Sequence, residues 1–184
     1  MKKTIFAFLL LTVCAICIAF GARTLMQTLY PKKYSDAVET YAAEYDVPPH
    51  LVYAVIHTES SFRPDAGSEA GAAGLMQIMP ETLEWLNMRM GLQTEFAELS
   101  DPDVAIRYGT YMLHLLLDEF GDTSAALAAY HAGRGRVGQW LKDPAYSDDG
   151  RTLRVIPYRD TAHYVRKVEK AVEMYDSLYK NRTN

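Results

Sequence analysis

Apolar side chains recur at the spacing of an α-helix along most of the chain. The clearest stripe lies in the segment DPDVAIRYGTYMLHLLLDEFGD, at Val104, Tyr108, Met112, Leu115 and Leu116. Asp101 is suited to cap this helix, Pro102 suits its first turn, and Gly121 is typical of a helix end. A second amphipathic helix is predicted near the C-terminus, with a stripe at Val165, Val168, Val172, Tyr175 and Leu178.

Prolines and glycines divide the rest of the domain into shorter helices. Ser35 is predicted to cap a helix that Pro48 ends, and Pro49 to open the next one, which runs to Ser61. Further helices are predicted over residues 80–90, 123–132 and 136–143, with a loop at 145–157. The glycines of RPDAGSEAGAAG exclude a regular helix over residues 67–74. With no hairpin signal and no repeat, the sequence predicts one mainly α-helical domain over residues 34–184.

The N-terminus carries a second, different pattern. Two lysines precede an apolar run from Thr4 to Ala22, which is close to the roughly 20 residues that span a bilayer. Residues 1–33 are therefore predicted to be a membrane-spanning or signal helix followed by a short linker at 23–33. Cleavage after Gly21 is one alternative. The length of the run and Arg23 favour an uncleaved anchor with its N-terminus inside and the domain outside the cytoplasm.

Composition and charge narrow the function further. The net charge of −4 and pI near 5.7 argue against nucleic acid, since phosphate binding needs a cationic surface. Cys14 and Cys17 are the only cysteines, and both lie in the apolar run, where they are predicted to be small apolar side chains. The domain therefore has no disulfide, and we expect it to be monomeric.

One acidic residue falls where an apolar one is expected. On a helix that begins at Leu51, Glu59 lies in the middle of the arc formed by Leu51, Val52, Val55, Ile56 and Phe62. Apolar surroundings disfavour an ionised carboxylate and raise its pKa, as a general acid near neutral pH requires. In the structural alternative, Glu59 reaches solvent at the helix end or accepts hydrogen bonds from Ser60 or Ser61.

Other chemistries lack their signatures. No phosphate-binding loop follows the glycines, and they are not preceded by a strand, as a dinucleotide-binding site requires. The five histidines show no metal-ligand spacing, and no HExxH, GxSxG or cysteine–histidine arrangement occurs. We therefore expect no metal and no cofactor, which leaves carboxyl chemistry.

The segment around Glu59 resembles a known family. ESSFRPDAGSEAGAAGLMQIMPETL is similar to the signature of the soluble lytic murein transglycosylases, whose catalytic domain is similar to goose-type lysozyme. Three later blocks fit in the same order: DPDVAIRYGTYMLHLLLDEFGD, ALAAYHAG and IPYRDTAHYVRKV. The resemblance covers about residues 40–175 and implies a lysozyme-like helical fold.

The resemblance also implies roles for individual residues. Glu59 matches the catalytic acid of the family. The positions that match those facing the sugar are Ser68, Gln77, Met79, Tyr130 and Tyr164. Each has a structural alternative: Ser68 could cap a turn, Met79 could be core, and Gln77 could bind backbone instead of substrate. Two positions depart from the family pattern, since His131 replaces an asparagine and Asp160 a glutamate.

The activity that the resemblance implies is non-hydrolytic cleavage of peptidoglycan between N-acetylmuramic acid and N-acetylglucosamine. Glu59 would act first as acid and then as base, leaving a 1,6-anhydromuramic product. A hydrolytic muramidase and a catalytically idle wall-binding module are the alternatives. The expected partners are the glycan strand and, through the N-terminal helix, the membrane. A role in cell-envelope or secretion machinery would use the same chemistry.

Overall fold

The computed structural model describes residues 2–179, with the side chains of residues 10–179. Its helices are α1 (Lys2–Leu29), α2 (Ser35–Glu44), α3 (Pro49–Ser60), α4 (Pro80–Met90), α5 (Pro102–Phe120), α6 (Thr123–Ala132), α7 (Arg134–Lys142) and α8 (Arg159–Tyr179). A short 3₁₀ helix at Phe96–Ser100, which the sequence analysis missed, precedes α5. The side chains of Lys2 and Lys3, and residues 180–184 of the predicted domain, lie outside the described residues. The described chain is mainly α-helical, as predicted.

Helix α3 is the centre of the domain. Its residues from Leu51 to Ile56 are all buried, and α3 packs most extensively against α8. Helix α2 also packs on α3, whereas α5 and α6 belong to the same core through α2, α8 and each other. The six consecutive buried residues make α3 apolar on almost every side. A helix that is apolar on all faces is typical of a core element. Glu59, in the last turn of α3, therefore enters the core from one end of the domain.

A smaller apolar cluster lies beneath α4. Its buried members are Ile78, Leu83, Leu86, Leu99 and Tyr108. The Tyr108 hydroxyl lies 2.6 Å from Asn87 Oδ1 and 2.7 Å from Thr94 Oγ1, so this buried phenol is hydrogen-bonded. The cluster packs α4 against α5 and so fixes the end of the segment 61–79, which connects α3 to α4.

Several predicted boundaries were wrong. Helix α2 ends at Glu44 instead of at Pro48, and α3 ends at Ser60 instead of Ser61. The predicted linker at 23–33 is helical as far as Leu29, because no helix breaker occurs before Pro31. Ser35 is the first helical residue instead of the cap. The N-cap residue is Tyr34, which has a left-handed backbone conformation and forms no side-chain capping hydrogen bond. Helix α7 begins two residues early, because Gly133 (φ 93°) both ends α6 and starts α7.

Helix α1 has the length and composition of a membrane span. Its segment Leu10–Leu29 has a mean hydropathy of 1.7 and none of it is buried within the structure. A signal sequence near the N-terminus would meet the same criteria. Where α1 ends it joins the domain, since Arg23 Nη2 donates to the carbonyl oxygen of Leu178 at 3.0 Å.

Candidate active site

Glu59 is mostly buried at the C-terminal end of α3. The helix ends at Ser60, and Ser61 and Phe62 both have left-handed backbone, which turns the chain sharply away. Burial raises the pKa of Glu59 to about 7, although its hydrogen bond to Tyr164 and the charge of Lys167 act in the opposite direction. The two serines do not donate hydrogen bonds to the Glu59 carboxylate, because Ser60 Oγ donates to the carbonyl oxygen of Ile56 and Ser61 Oγ to that of His57.

Helix α8 supplies the direct partner of Glu59. The Tyr164 hydroxyl donates to Glu59 Oε1 at 2.8 Å. One turn further along α8, Lys167 Nζ donates to the carbonyl oxygen of Thr58 at 3.3 Å. The buried phenol of Tyr164 has a pKa well above its ordinary value, first through burial and then through Glu59. It is therefore a hydrogen-bond donor at any working pH and holds one carboxylate oxygen in place.

Tyr130 links α6 to the segment 61–79. Its hydroxyl donates to the carbonyl oxygen of Met76 at 2.8 Å, and its side chain is buried. Burial and the nearby Glu59 carboxylate raise its pKa well above the ordinary value. In this structure Tyr130 therefore anchors the segment behind the acid through a backbone contact.

The segment 61–79 forms a compact loop with two isolated β-bridges, Gly67 with Ala73 and Ala73 with Ile78. Ser68 Oγ accepts from the Ala72 amide at 2.9 Å and so closes an exposed turn. Gln77 Nε2 donates to the carbonyl oxygens of Ala66 and Gly74, both at 2.9 Å. Both side chains shape the loop from within, and their contact with sugar stays a prediction.

Two grooves meet at His131. One, of about 440 Å³, is lined by residues of α6, α7 and the start of α8, including Asp160. The other, of about 360 Å³, includes Met79, Tyr130 and Trp85. Both grooves include His131 and Ala132, so they lie on either side of the end of α6, and Glu59 is not among the residues that line them.

His131 connects these grooves to the acid. Its ring centroid lies 4.5 Å from that of Tyr164, and its Nδ1 is 3.2 Å from Thr161 Oγ1. Burial lowers the pKa of His131, which the nearby Asp160 carboxylate partly offsets. The structure thus places the two departures from the family pattern, His131 and Asp160, in one groove.

The sequence analysis missed two aromatic residues that line the grooves. Trp85 lies in the Met79 groove, with the Arg134 guanidinium 5.5 Å from its ring centroid. Tyr158 lies in the other groove, 5.1 Å from the Arg136 guanidinium. Aromatic faces of this kind suit the apolar faces of sugars. Trp85 follows Met79 by six residues on an ordinary helix, so no local pattern singled it out.

Among residues 10–179, no other carboxylate is joined to Glu59. Asp65 and Glu69 lie on the loop that follows, but both are exposed and no hydrogen bond connects either to the acid. The same residues contain no group of three or more histidine, cysteine or acidic side chains that could hold a metal ion.

Comparison with known proteins places this arrangement in a family. The profile of the transglycosylase SLT domain matches residues 36–151. The chain is 32% identical over 159 residues to the soluble lytic murein transglycosylase of Escherichia coli K12, covering 84% of this chain and 24% of the relative. It is 34% identical over 167 residues to membrane-bound lytic murein transglycosylase C of Actinobacillus pleuropneumoniae, covering 78% and 46%. This chain therefore spans about a quarter to a half of the length of these relatives.

Solved structures give the same result. The lytic transglycosylase Slt of Pseudomonas aeruginosa, solved as an inactive mutant, superposes with a TM-score of 0.73 at 33% identity, covering 80% of this chain and 24% of that one. The 70 kDa soluble lytic transglycosylase of Escherichia coli gives a TM-score of 0.74 at 29% identity, with 83% and 25% coverage. The expected helical, lysozyme-like fold is thereby confirmed. By its sequence profile and its fold, the chain belongs to the transglycosylase SLT domain family.

Proposed function

We propose that this protein is a peptidoglycan lytic transglycosylase that cleaves the β-1,4 bond between N-acetylmuramic acid and N-acetylglucosamine. The observation that carries the proposal is Glu59, a mostly buried acid at the end of α3 that accepts a hydrogen bond from Tyr164 and whose pKa is raised by burial to about 7. A carboxyl group that is half protonated near neutral pH can both donate and accept a proton in one catalytic cycle. The names of the relatives from Escherichia coli and Actinobacillus pleuropneumoniae support the same activity.

The reaction needs two proton transfers at one carboxyl group. Protonated Glu59 donates to the glycosidic oxygen, and the bond from that oxygen to C1 of muramic acid breaks. The N-acetyl group of the same sugar stabilises the resulting cation. The Glu59 carboxylate then removes the proton of the C6 hydroxyl, whose oxygen forms a new bond to C1. No water is consumed, and Glu59 ends the cycle protonated.

An internal acceptor does not require a second carboxylate. Retaining glycosidases generally place a second carboxyl group about 5–5.5 Å from the acid, and inverting ones use it to activate water. Asp65 and Glu69, on the loop after Glu59, are both exposed, and neither is hydrogen-bonded to it. A C6 hydroxyl needs no such residue, because it is tethered to the reacting carbon and has a high effective concentration.

The substrate contacts are part of the proposal. We assign the sugar-binding surface to these two grooves, with Met79, His131 and Asp160 in their walls. Tyr164 and Tyr130 support the acid and the loop from the helical side. Ser68 and Gln77 are assigned to the loop wall that faces the sugar, where their backbone bonds fix its shape.

We assign the protein to the cytoplasmic membrane, with α1 as a single span and the catalytic domain facing the wall. The supporting observations are the apolar, exposed segment Leu10–Leu29 and the membrane-bound name of the Actinobacillus relatives. Fractionation of cells should recover full-length protein with the membrane. Full-length protein in the soluble cytosol would contradict this, whereas a soluble exported form starting near Ala22 would show cleavage of the segment.

Digestion of purified sacculi tests the reaction. Full-length protein in detergent should release disaccharide-peptides about 18 mass units lighter than muramidase products, the mass of the one water that hydrolysis adds. The products should have no reducing end and take up no ¹⁸O from labelled water. Reducing ends in near-stoichiometric yield would identify a hydrolase, and no release with intact binding would identify a wall-binding module.

A further inference from the structure

The segment that follows α1 reaches the helix that carries the acid. The ring of Tyr30 stacks on that of His57, with centroids 4.8 Å apart and planes inclined by 29°. The same tyrosine contacts Tyr175 edge-on, at 5.7 Å. His57 lies in the last turn of α3, two residues before Glu59. A residue in the region predicted to be linker therefore packs against the catalytic turn.

Helix α8 holds this segment through its backbone. The Tyr179 hydroxyl donates to the carbonyl oxygen of Tyr30 at 2.8 Å, and the Tyr175 hydroxyl to that of Pro31 at 3.1 Å. The Tyr175 side chain is buried and this bond is partly buried, so the loss of its partner would cost stability. The position of Tyr30 is thus set by the domain as well as by α1.

Three consecutive residues in the last turn of α3 are held by three different contacts. Tyr30 stacks on the His57 ring, Lys167 binds the Thr58 carbonyl, and Tyr164 binds the Glu59 carboxylate. His57 and Glu59 point about 200° apart around the helix, because each residue turns it by about 100°. Contacts on opposite sides of one turn oppose its rotation. A rotation of that turn would move Glu59 relative to Tyr164.

We infer that Tyr30 is a positioning residue for the reaction: its stack on His57 fixes the turn that presents Glu59, so the catalytic unit begins at Tyr30. The inference rests on the proposed function of Glu59. It follows that a soluble fragment starting at residue 34 lacks part of the support of its own acid. The segment that leaves the membrane then belongs to the active-site scaffold and does more than localise the domain.

The inference is tested in the full-length protein in detergent, on soluble glycan oligosaccharides, so that membrane attachment does not limit access to substrate. Tyr30→Ala should lower kcat about fivefold with little change in KM, because misplacement of a catalytic group affects the chemical step. Tyr30→Phe keeps the ring and should restore most of the activity. Tyr45→Ala is the matched control, since the Tyr45 ring packs at a tilt on that of Tyr111, with centroids 5.1 Å apart, and forms no ring contact with His57.

A physical measurement separates this inference from the proposed function. Burial, and to a lesser extent Lys167, lowers the pKa of His57, whose ring neighbours are Tyr30, Tyr175 and Phe62. In Tyr30→Ala the His57 pKa measured by NMR should rise, and amide exchange at residues 58–61 should accelerate. If the wild-type protein makes no anhydro product but these changes occur, the proposed function fails and the support by Tyr30 stands.

Three results would overturn the inference. The first is a Tyr30→Ala variant with wild-type kcat and unchanged exchange at residues 58–61. The second is an equal fall in kcat for Tyr30→Ala and Tyr45→Ala, because that would show a general loss of stability. A fragment beginning at residue 34 with full kcat on the same oligosaccharides would contradict it as well.

Discussion

Glu59 lies between a helical wall, formed by side chains of α6 and α8, and a loop wall, formed by residues 61–79, and the two are built in different ways. On the helical side, side chains from α6 and α8 reach across, as with the bond from Tyr164 to the acid. On the loop side, residues 61–79 are held by bonds within their own backbone, by Gln77, and by close packing on α5. The helical wall therefore sets the protonation and orientation of the acid. The loop wall sets the shape of the surface, and its failure should appear as a loss of folding.

The largest expected effect comes from Glu59 itself. Glu59→Gln should abolish turnover, with a loss of at least about 10²–10³-fold, because glutamine cannot donate the proton. The measurement is anhydro-product release from sacculi, with folding checked by circular dichroism. A folded variant that keeps more than a few per cent of the wild-type rate would show that Glu59 is not the acid.

The same variant should change how stability depends on pH. The pKa of Glu59 is about 7 in the folded protein, above its ordinary value of 4.5, so the folded state binds the proton more tightly. Wild-type stability should then fall as pH rises from about 4.5 to 7, by about 3 kcal/mol, and level off above. Glu59→Gln should lack this decline. Denaturant unfolding of both proteins at pH 5 and pH 8 measures the decline. An equal change in the free energy of unfolding between the two pH values in wild type and variant would contradict the raised pKa.

The loop wall is tested at Gly74. This residue has a φ of 78°, and a Cβ there would lie 2.1 Å from the carbonyl oxygen of Leu99. Gly74→Ala should therefore destabilise the domain by about 3 kcal/mol, through backbone strain and a clash with backbone.

Gly67→Ala is the matched control, because a Cβ at Gly67 meets only the Ala72 carbonyl oxygen, at an ordinary 3.8 Å. Thermal unfolding of both variants measures the difference. Equal melting temperatures would show that the loop does not depend on its approach to Leu99.

The helical wall is tested at Tyr164. Tyr164→Phe removes the hydrogen bond that lowers the pKa of Glu59, so that pKa should rise above about 7. The alkaline limb of the kcat/KM profile should shift to higher pH, and kcat should fall about tenfold, as expected for a lost bond to a charged group. Lowered activity with an unmoved alkaline limb would restrict Tyr164 to a packing role.

The smallest effect is expected at His131. His131→Asn restores the residue usual at this position in the resembling family and should keep activity within about twofold. Because burial lowers the His131 pKa, the change should flatten the profile on the acidic side of its ordinary value of 6.5. Initial rates between pH 5 and 8 measure this. An unchanged profile would assign His131 a structural role through its contacts with Thr161 and the Tyr164 ring.

Much of the helical architecture could be predicted because its signals are local. The start of α5 at Pro102, its Asp101 cap and its end at Gly121 all agree with the structure. The 3₁₀ helix at 96–100 was missed, since its capping pair Glu95 and Glu98 precedes no periodic stripe. The extension of α1 to Leu29 was missed because Arg23 was taken to mark the end of the apolar run.

The candidate site also has features that the sequence predicts and features that only the structure decides. The position of Glu59 on an apolar helical arc predicts a raised pKa, since burial on that arc follows from helical periodicity, but it leaves the structural alternative open. The alternative with Ser60 and Ser61 as donors could be decided only once their bonds to Ile56 and His57 were known. The carbonyl oxygens that accept these bonds lie within one helical turn of the serines. Whether a serine donates to such a carbonyl or to the Glu59 carboxylate depends on the direction of its side chain.

By itself the sequence determined the helical class, the apolar N-terminal segment and the position of Glu59 on an apolar helical arc, because each depends on residues close together in the chain. The tertiary structure alone decided that Tyr164 bonds Glu59, that Tyr130 holds Met76, and that Tyr30 stacks on His57. These pairs are separated along the chain by 105, 54 and 27 positions. Only the packing of whole helices brings such pairs together, because helical periodicity relates residues three or four positions apart and carries no information about which helices meet.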